Sequence, residues 1–179
     1  ECGAKRPVPD INQWPSPLPG LYNQYNTLAA VATLRSVGVS DNAIKKTLVG
    51  FAPAFGRQEE FVVDGRRVKL FLSKNPAGFN ASLRTVLEMK PRTLLFVLND
   101  RIPDGRDVSW IWDVDFEMLA AKTSVRVSGQ RAYDLALRLK YAGVKAQIYE
   151  NFENALDTKE TLYVLPTYSA MLDVRKILT

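Results

Sequence analysis

The sequence has 179 residues, 46% of them hydrophobic and 24% charged, a composition typical of a folded domain and unlike that of a disordered chain. The 24 Lys and Arg residues exceed the 19 Asp and Glu residues only by a mild and dispersed margin, so we expect no nucleic-acid partner. The single cysteine excludes an intramolecular disulfide and favours a reducing compartment. The lack of any histidine excludes a complete Ser-His-Asp or Cys-His site made by this chain alone.

The amino-terminal third is predicted to contain an extended arm followed by two helices. Five prolines between positions 7 and 19 indicate an arm or linker over the first twenty residues. Apolar residues at helical spacing then predict a helix over 25–37, ended by Gly38. A second helix is predicted over 42–49, with Ser40 or Asp41 as its cap and Gly50 at its end.

From residue 55 the predicted strands and helices alternate. Asp64-Gly65 between two apolar runs predicts a β-hairpin turn, and the continuously apolar run 93–98 indicates a strand buried on both faces. Further strands are predicted at 125–127, 145–149 and 161–165, and helices at 80–89, 130–141, 152–156 and 167–178. This order favours an α/β fold: a Rossmann-like, mostly parallel sheet with flanking helices, preceded by the hairpin. Neither a P-loop nor a G-x-G-x-x-G motif is present, so the layout alone implies no nucleotide.

The densest polar segment, residues 99–113, follows the most buried predicted strand. It contains four aspartates, two arginines and two tryptophans. Because sites in open parallel sheets form at the carboxyl ends of strands, this loop is the first candidate site. The alternative is an Asx turn at Asp104-Gly105, with the arginines neutralising the aspartates and the tryptophans filling the core.

Two shorter segments carry basic groups that suit phosphate. Lys74-Asn75 lies between a predicted strand and a helix, where a lysine and backbone N–H groups could hold an anion, or where the segment simply caps the helix beside a solvated lysine. Arg57 could bind phosphate with two hydrogen bonds, or pair with Glu59 or Glu60 on the surface.

Together these segments resemble the Mur ligases, and among them the MurT family, the Mur-ligase-like subunits of lipid II isoglutaminyl synthase. Residues 20–30 look like the end of the central ATPase domain, and Gly56-Arg57-Gln58-Glu59 looks like the opening of the C-terminal domain. The MurT family is indicated by 74–80, 99–113, 128–141 and 167–173. The resemblance implies the tail of the central domain over 1–52, with the last part of a zinc ribbon, and a Mur ligase-like C-terminal α/β domain over 53–179.

The resemblance implies an amidotransferase. A GatD glutaminase partner would release ammonia from glutamine, and the MurT-like subunit would use ATP with Mg to amidate the α-carboxyl of D-glutamate in the lipid II stem peptide, giving D-isoglutamine. Asp104 or Asp107 would complete the Cys-His site of that partner. Asp104 is favoured slightly, because it precedes a turn glycine where its side chain can project outward, with Arg101 and Arg106 keeping the carboxylates charged. The reaction would be cytoplasmic, at the inner face of the bacterial membrane.

The resemblance also assigns ligand-binding residues. Asn23 and Asn26 would lie near the adenine, and Arg57 and Lys74, with Asn75 beside it, would reach the ATP phosphates or ribose. Many Mur ligases have an acidic residue just before that lysine, where this chain has Ser73. Cys2 would be the last of four zinc cysteines, although a lone cysteine is ordinarily a small apolar side chain.

The sequence begins at Glu1 without methionine and has no P-loop, so we expect it to lack ATPase activity by itself. Two other classes of function stay open. The chain could be a non-catalytic docking module that only holds the glutaminase, or an independent α/β enzyme that uses a pair of carboxylates, as glycosidases do. The second is the weaker, because no segment forms a substrate cleft by itself.

Overall fold

The computed structural model describes residues 10–53, 55–119 and 123–179. The chain divides into two compact units, Glu1–Ala52 and Pro53–Thr179. Cys2, the predicted zinc ligand, lies outside the described residues. No helix in the described ranges combines the length and the apolar character needed to cross a membrane.

The first unit consists of two helices beside a short turn of 3-10 helix, Ile11–Gln13. Helix α1 spans Leu21–Ser36 and begins four residues earlier than predicted, directly after Gly20. Helix α2 spans Asp41–Val49, and the Ser40 side chain accepts a hydrogen bond from the backbone N–H of Ala43, as expected of an N-cap. Among the residues of this unit that the structure describes, three apolar residues are buried, namely Trp14, Val31 and Ile44.

The second unit is built on a six-stranded sheet in the order β1-β2-β6-β3-β4-β5. The strands are β1 (Arg57–Val63), β2 (Arg66–Phe71), β3 (Thr93–Val97), β4 (Ser124–Ser128), β5 (Ala146–Ile148) and β6 (Leu162–Pro166). Only β1 is antiparallel to its neighbour, and every other described pair of strands is parallel. The predicted α/β fold with a mostly parallel sheet is therefore confirmed.

The hairpin is part of this sheet and does not stand before it as a separate element. Its turn lies at Asp64-Gly65, as predicted, and both residues have positive φ, which suits a tight hairpin turn. Strand β2 pairs in parallel with β6, so the hairpin forms one edge of the sheet. The sequence could not show this pairing, because about ninety residues separate the two strands.

Helices cover both faces of the sheet. They are α3 (Pro76–Glu88), α4 (Ala132–Tyr141), α5 (Phe152–Ala155) and α6 (Tyr168–Leu178). Along β3, Leu94 and Phe96 join the core that contains α3 and α4, whereas Leu95 and Val97 join the core that contains α5 and α6. All five residues of β3 are buried, which confirms the prediction of a strand covered on both faces.

The segment after β3 has more structure than the predicted polar loop. It contains two short 3-10 helices, Ser109–Asp113 and Phe116–Met118, whose apolar residues Ile111 and Phe116 enter the core of α3 and α4. The carboxyl ends of the parallel strands all lie on one side of the sheet, which we call the carboxyl edge. The segment after β3 begins at the centre of this carboxyl edge. The fold thus places residues 99–118 where α/β proteins commonly form sites.

Candidate functional site at the carboxyl edge of the sheet

Asn99 joins three elements at the carboxyl end of β3. Its side chain is 3% exposed. Its Oδ1 accepts a hydrogen bond from the backbone N–H of Gln130 (3.0 Å), and its Nδ2 donates to Ser169 Oγ (3.2 Å) and to Asp173 Oδ2 (3.3 Å). Its backbone N–H donates to Thr167 Oγ1 (3.0 Å). A single buried amide therefore links β3 to the starts of α4 and α6, and it satisfies polar groups that would otherwise be buried without partners.

Gly129 allows this close approach. It has a φ of +97°, and a Cβ built on it would lie 2.5 Å from the Leu98 carbonyl oxygen and 2.9 Å from Asn99 Oδ1. Any larger residue would push the turn away from β3. The backbone N–H of Arg131 donates to the same Leu98 carbonyl (2.9 Å), which closes the junction.

Asp104 is turned into the fold. One carboxylate oxygen accepts a hydrogen bond from the backbone N–H of Ser169 (2.8 Å), and the other accepts from the Ser169 hydroxyl. The expectation that this side chain projects outward is wrong. The first turn of α6 has backbone N–H groups with no partner inside the helix, and the half-buried Asp104 carboxylate satisfies one of them from a distant loop.

Asp107 is exposed at the surface, in contrast to Asp104. Its Oδ1 accepts a hydrogen bond from the backbone N–H of Ser109 (2.8 Å), the first residue of the 3-10 helix Ser109–Asp113. Hydrogen bonding from Ser109 lowers the pKa of this carboxyl below its ordinary value. Asp107 lines a surface cavity of about 300 Å³ together with Arg106, Trp112 and Arg131. The carboxylate is therefore ionised, oriented and accessible.

The arginines of this loop do not pair with Asp104 or Asp107. Arg101 pairs with Asp173 in α6 (2.9 Å), while Asp100 is paired with Arg131 at the start of α4 (3.2 Å). Arg106 forms no ion pair with any residue that the structure describes. The expected neutralisation within the loop is wrong, because the ion pairs instead attach the loop to helices that follow it in the sequence.

Residues from both flanking helices hold the 3-10 segment in place. Asn80 in α3 accepts a hydrogen bond from the backbone N–H of Asp115 (2.8 Å). Arg138 in α4, 5% exposed, donates to the Val114 carbonyl (2.7 Å) and pairs with Glu117 (2.9 Å). Neither side chain was singled out from the sequence. For Arg138 the signal was a charged residue on the apolar face of an amphipathic helix.

An exposed apolar surface adjoins the cavity. Trp112 is 48% exposed, and its ring meets that of Tyr141 edge to face at 5.5 Å between centroids. Tyr133, Leu137 and Tyr141 are exposed at four-residue spacing along α4. We call these four residues the α4 apolar surface. The prediction that the loop tryptophans fill the core holds only for Trp110, which is half-buried and packs against the core.

Arg57 and Lys74, the predicted phosphate ligands, lie at the same carboxyl edge near β2. Arg57 is opposite Phe71, the last residue of β2, and Lys74 follows three positions later. Both side chains are exposed, and neither forms an ion pair within the described ranges. The alternative that Arg57 pairs with Glu59 or Glu60 is wrong, because Arg175 pairs with Glu59, and Arg67 and Lys69 pair with Glu60.

Asn75 has a local role in the fold. Its Oδ1 accepts a hydrogen bond from the backbone N–H of Gly78 (2.8 Å), which caps α3, and Pro76 occupies the first turn of that helix. This is the capping alternative, and it occupies the oxygen of the side chain. Helix α3 consequently starts four residues before the predicted start.

Asn23 and Asn26, the predicted adenine neighbours, belong to the first unit. Asn23 donates from Nδ2 to the Pro19 carbonyl (2.7 Å) at the start of α1, and Asn26 is exposed. Their role toward adenine stays a prediction. Across residues 10–53, 55–119 and 123–179, no group of three or more His, Cys, Asp or Glu side chains comes together in a way that could hold a metal ion.

Comparison with solved structures defines the class of fold. UDP-N-acetylmuramate-alanine ligase MurC from Thermotoga maritima has a TM-score of 0.65 and 16% identity, over 90% of this chain and 37% of that one. MurF from Acinetobacter baumannii has a TM-score of 0.66 and 19% identity, over 89% of this chain and 38% of that one. The described fold is therefore that of the part of these Mur ligases that the chain covers, a little over a third of their length.

Sequence comparison identifies the family within that class. The profile of the MurT ligase C-terminal family matches residues 72–171, and the chain belongs to this family. A curated relative from Streptococcus pneumoniae strain R6, the MurT subunit of the glutamine-hydrolysing lipid II isoglutaminyl synthase, is 35% identical over 207 residues, covering 99% of this chain and 46% of the relative. The subunit of the same name from Staphylococcus aureus strain COL is 35% identical over 161 residues, covering 85% and 37%. The chain thus spans less than half the length of these relatives.

Proposed function

We propose that this chain acts as the carboxyl-terminal part of a MurT-type ligase subunit. Together with a GatD glutaminase, the ligase converts the α-carboxyl of D-glutamate in the lipid II stem peptide to the amide, in an ATP-dependent and glutamine-dependent reaction at the inner face of the bacterial membrane. The observation that carries this proposal is the family match over residues 72–171, which includes Lys74 and the whole 99–113 loop.

The residues at the β2 end of the carboxyl edge suit a nucleotide. Arg57 and Lys74 supply cations that form no ion pair with the residues that the structure describes, and such cations are the donors that phosphate oxygens bind. Bound ATP supplies the phosphoryl group that activates the carboxyl, and its Mg is assigned to the phosphate-binding part of the ligase. We assign Arg57 and Lys74 to the phosphates or ribose, and Asn75 to positioning Lys74 through the α3 cap. Asn23 and Asn26 are assigned to the adenine.

Asp107 is the better candidate for completing the partner's glutaminase site. A cysteine nucleophile with a histidine base needs a third group that holds the imidazole in one tautomer and stabilises its cation. Asp107 is exposed and ionised, whereas both carboxylate oxygens of Asp104 accept hydrogen bonds from Ser169. The ammonia released there would then be consumed by the ligase.

Zinc enters this proposal only through Cys2. A structural zinc site takes four ligands, and the chain has one cysteine and no histidine, so these residues do not form such a site by themselves. No step of the proposed reaction passes through zinc.

The experiment that tests the ligase proposal uses Lys74→Ala in the complete ligase subunit, reconstituted with its glutaminase partner and assayed for amidation of lipid II. The loss of one charge-assisted contact to phosphate should lower the amidation rate about 10- to 100-fold at limiting ATP. Lys159→Ala, at an exposed lysine before β6 and on the opposite edge of the sheet, is the matched control and should leave the rate unchanged. Amidation by Lys74→Ala at the control rate would remove Lys74 from the site.

The docking-module alternative is supported by one specific observation, the α4 apolar surface of Trp112, Tyr133, Leu137 and Tyr141. Exposed aromatic residues next to a cavity are typical of protein interfaces. Under this alternative the chain binds the glutaminase but contributes no group to its chemistry. The partner's glutaminase rate in the complex would then not change when Asp107 is replaced.

A further inference from the structure

The turn that leads into β1 has an unusual backbone around one exposed arginine. Phe55, Gly56 and Gln58 have φ values of 51°, 76° and 61°, and the exposed arginine, Arg57, lies between Gly56 and Gln58 in the sequence. The pairing of β1 with β2 skips Gln58, which makes a β-bulge between Arg57 and Glu59. Residues other than glycine persist in the left-handed region only where surrounding structure holds them, and such bulges redirect neighbouring side chains.

Glu59 holds this turn from within β1. Its Oε2 accepts a hydrogen bond from the backbone N–H of Gly56 (2.8 Å). The same carboxylate forms an ion pair with Arg175 in α6, in which one terminal nitrogen donates a hydrogen bond to Oε1 (3.0 Å) and Nε lies 2.9 Å from Oε2. The side chains of Glu59 and Arg175 are only 18% and 25% exposed, so this pair is more than a solvated surface contact.

Helix α6 supports the same turn by packing. The Arg175 guanidinium lies 4.7 Å from the centre of the Phe55 ring and 6.0 Å from that of Phe61. A Cβ on Gly56 would lie 2.6 Å from Met171 Cγ, so the backbone of the turn is pressed against the helix. Every residue of the turn other than Arg57 therefore contacts α6 or is constrained by its own backbone conformation.

We propose that Glu59 and Arg175 are positioning residues, which hold the Phe55–Gln58 turn in one conformation and so present Arg57 beside Lys74 to the nucleotide phosphates. This inference rests on the proposed function in one respect, the identity of the ligand that Arg57 binds. The nearby carboxylates Glu59 and Glu60 are already paired with other cations, which leaves Arg57 available for an anion. A pair that only fastened α6 to the sheet would not require a left-handed turn around an arginine that has no ion pair within the described ranges.

The test is a set of variants in the complete ligase subunit bound to its glutaminase partner. The variants are Arg57→Ala, Glu59→Ala, Arg175→Met, Arg175→Lys and the double variant Arg57→Ala/Glu59→Ala. The matched control is Asp157→Asn, which breaks an exposed ion pair with Arg66 at the other end of the hairpin. The KM for ATP and the kcat of amidation are measured for each, together with the partner's ATP-independent glutaminase rate as a check of fold and complex.

We expect Glu59→Ala and Arg175→Met to raise the KM for ATP about 10-fold while kcat and the glutaminase rate change less than about threefold. Arg175→Lys retains a charge for Glu59 and should raise the KM by a smaller factor. Because Glu59 acts through Arg57, the double variant should have the KM of Arg57→Ala alone. Asp157→Asn should behave as wild type.

Each other result has a definite meaning. Additive effects of Glu59→Ala and Arg57→Ala, or an unchanged KM in the Glu59 and Arg175 variants, would overturn the positioning role. If Arg57→Ala itself has the wild-type KM, the proposed nucleotide role of Arg57 fails instead. Should Glu59→Ala or Arg175→Met lose the glutaminase rate through misfolding, the conservative Arg175→Lys decides, and a wild-type KM in that folded variant would refute the inference.

Discussion

Two aspartates three positions apart have opposite surroundings in the loop after β3. Asp104 directs both carboxylate oxygens to Ser169, whereas Asp107 accepts one local hydrogen bond and stays exposed. The difference arises from which backbone N–H groups lie within reach. The α6 terminus faces Asp104, and the adjacent 3-10 turn faces Asp107. A carboxylate committed to a helix terminus contributes to stability, and an exposed ionised one is available to a partner.

The two residues should respond differently to the same substitution. We expect Asp107→Asn to lower glutamine hydrolysis by the intact complex by about 10²- to 10⁴-fold, because an uncharged amide holds the histidine poorly and does not stabilise its cation. Asp104→Asn should keep the hydrolysis rate and lose about 0.5–1 kcal/mol of unfolding free energy at the α6 terminus. The measurements are glutaminase assays after gel filtration of the complex, and thermal unfolding. Wild-type hydrolysis by complexed Asp107→Asn would leave the loop as a docking surface only.

The Glu117 carboxylate gives a pH-dependent prediction. Its hydrogen bond with Arg138 lowers its pKa below the ordinary value. A carboxyl with a lowered folded-state pKa contributes stability above the unfolded-state pKa of about 4.3, and loses that contribution as the pH falls through the folded-state value. The free energy of unfolding of Glu117→Gln, measured with urea, should therefore be lower than that of the wild type at pH 7. This difference should shrink towards zero below about pH 4.

The matched control is Glu88→Gln, at an exposed glutamate of α3 that forms no ion pair with the described residues. It should unfold as the wild type does at both pH values. If Glu117→Gln lowers the free energy of unfolding equally at acid and neutral pH, the loss comes from altered side-chain packing and not from the missing charge.

At the scale of elements, the carboxyl edge is held by contacts between the ends of strands and the starts of helices. Asn99, just after β3, forms hydrogen bonds with the starts of both α4 and α6. From the loop that follows β3, Arg101 and Asp104 also form hydrogen bonds with α6. The contact of Asn99 with the start of α4 needs a glycine at 129, because a Cβ there would lie 2.5 Å from the Leu98 carbonyl oxygen. The loop that carries Asp107 is therefore anchored at its base by the fold itself.

Gly129→Ala tests this anchoring. The left-handed backbone and the 2.5 Å approach to the Leu98 carbonyl should together cost about 2–4 kcal/mol of unfolding free energy. Gly143→Ala is the matched control, because Gly143 also has positive φ (+73°) but a Cβ there would meet nothing within 4 Å, so its cost should be about 1–2 kcal/mol. Urea denaturation measures both. Equal losses would show that the close approach to Leu98 is unimportant.

At the scale of the whole molecule, the two units differ in how much apolar surface they bury. Helix α1 has two buried residues, Thr27 and Val31, whereas all five residues of β3 are buried. The second unit contains two large apolar cores, one on each face of its sheet. Local opening costs less free energy where few apolar contacts are lost.

Hydrogen exchange of this 179-residue chain should reveal the difference. Backbone amides of β3 should exchange slower than those of α1 and α2 by about two orders of magnitude or more, since α1 and α2 open without disturbing a large core. Mass spectrometry of peptic peptides measures both sets in one sample, with β6 as an internal reference for the sheet. Equal protection across α1 and β3 would show that the two units unfold together.

Much of the fold follows from local patterns that the sequence contains. The run 93–98 predicted a strand covered on both faces and Asp64-Gly65 predicted a hairpin turn, and the structure confirms both. The alternation of strand and helix after residue 55 determined the α/β class, because the periods of apolar residues differ between the two elements. The residues at strand ends were likewise predictable as a set, since parallel strands place their carboxyl ends at one edge.

The tertiary structure decided the partners and directions of single side chains. Asp104 and Ser169 are hydrogen-bonded although 65 positions of sequence separate them, and Glu59 and Arg175 are hydrogen-bonded across a separation of 116 positions. Those hydrogen bonds depend on β6 entering the sheet between β2 and β3, which no local pattern indicates. The sequence by itself determined which strands and α-helices form and which edge carries the polar groups, whereas the two 3-10 helices after β3 were not predicted. Long-range topology decided which carboxylate is half-buried, which arginine has no ion pair among the described residues and where the hairpin joins the sheet. The reason is that hydrogen bonds and ion pairs act only between groups that the fold brings within about 3 Å.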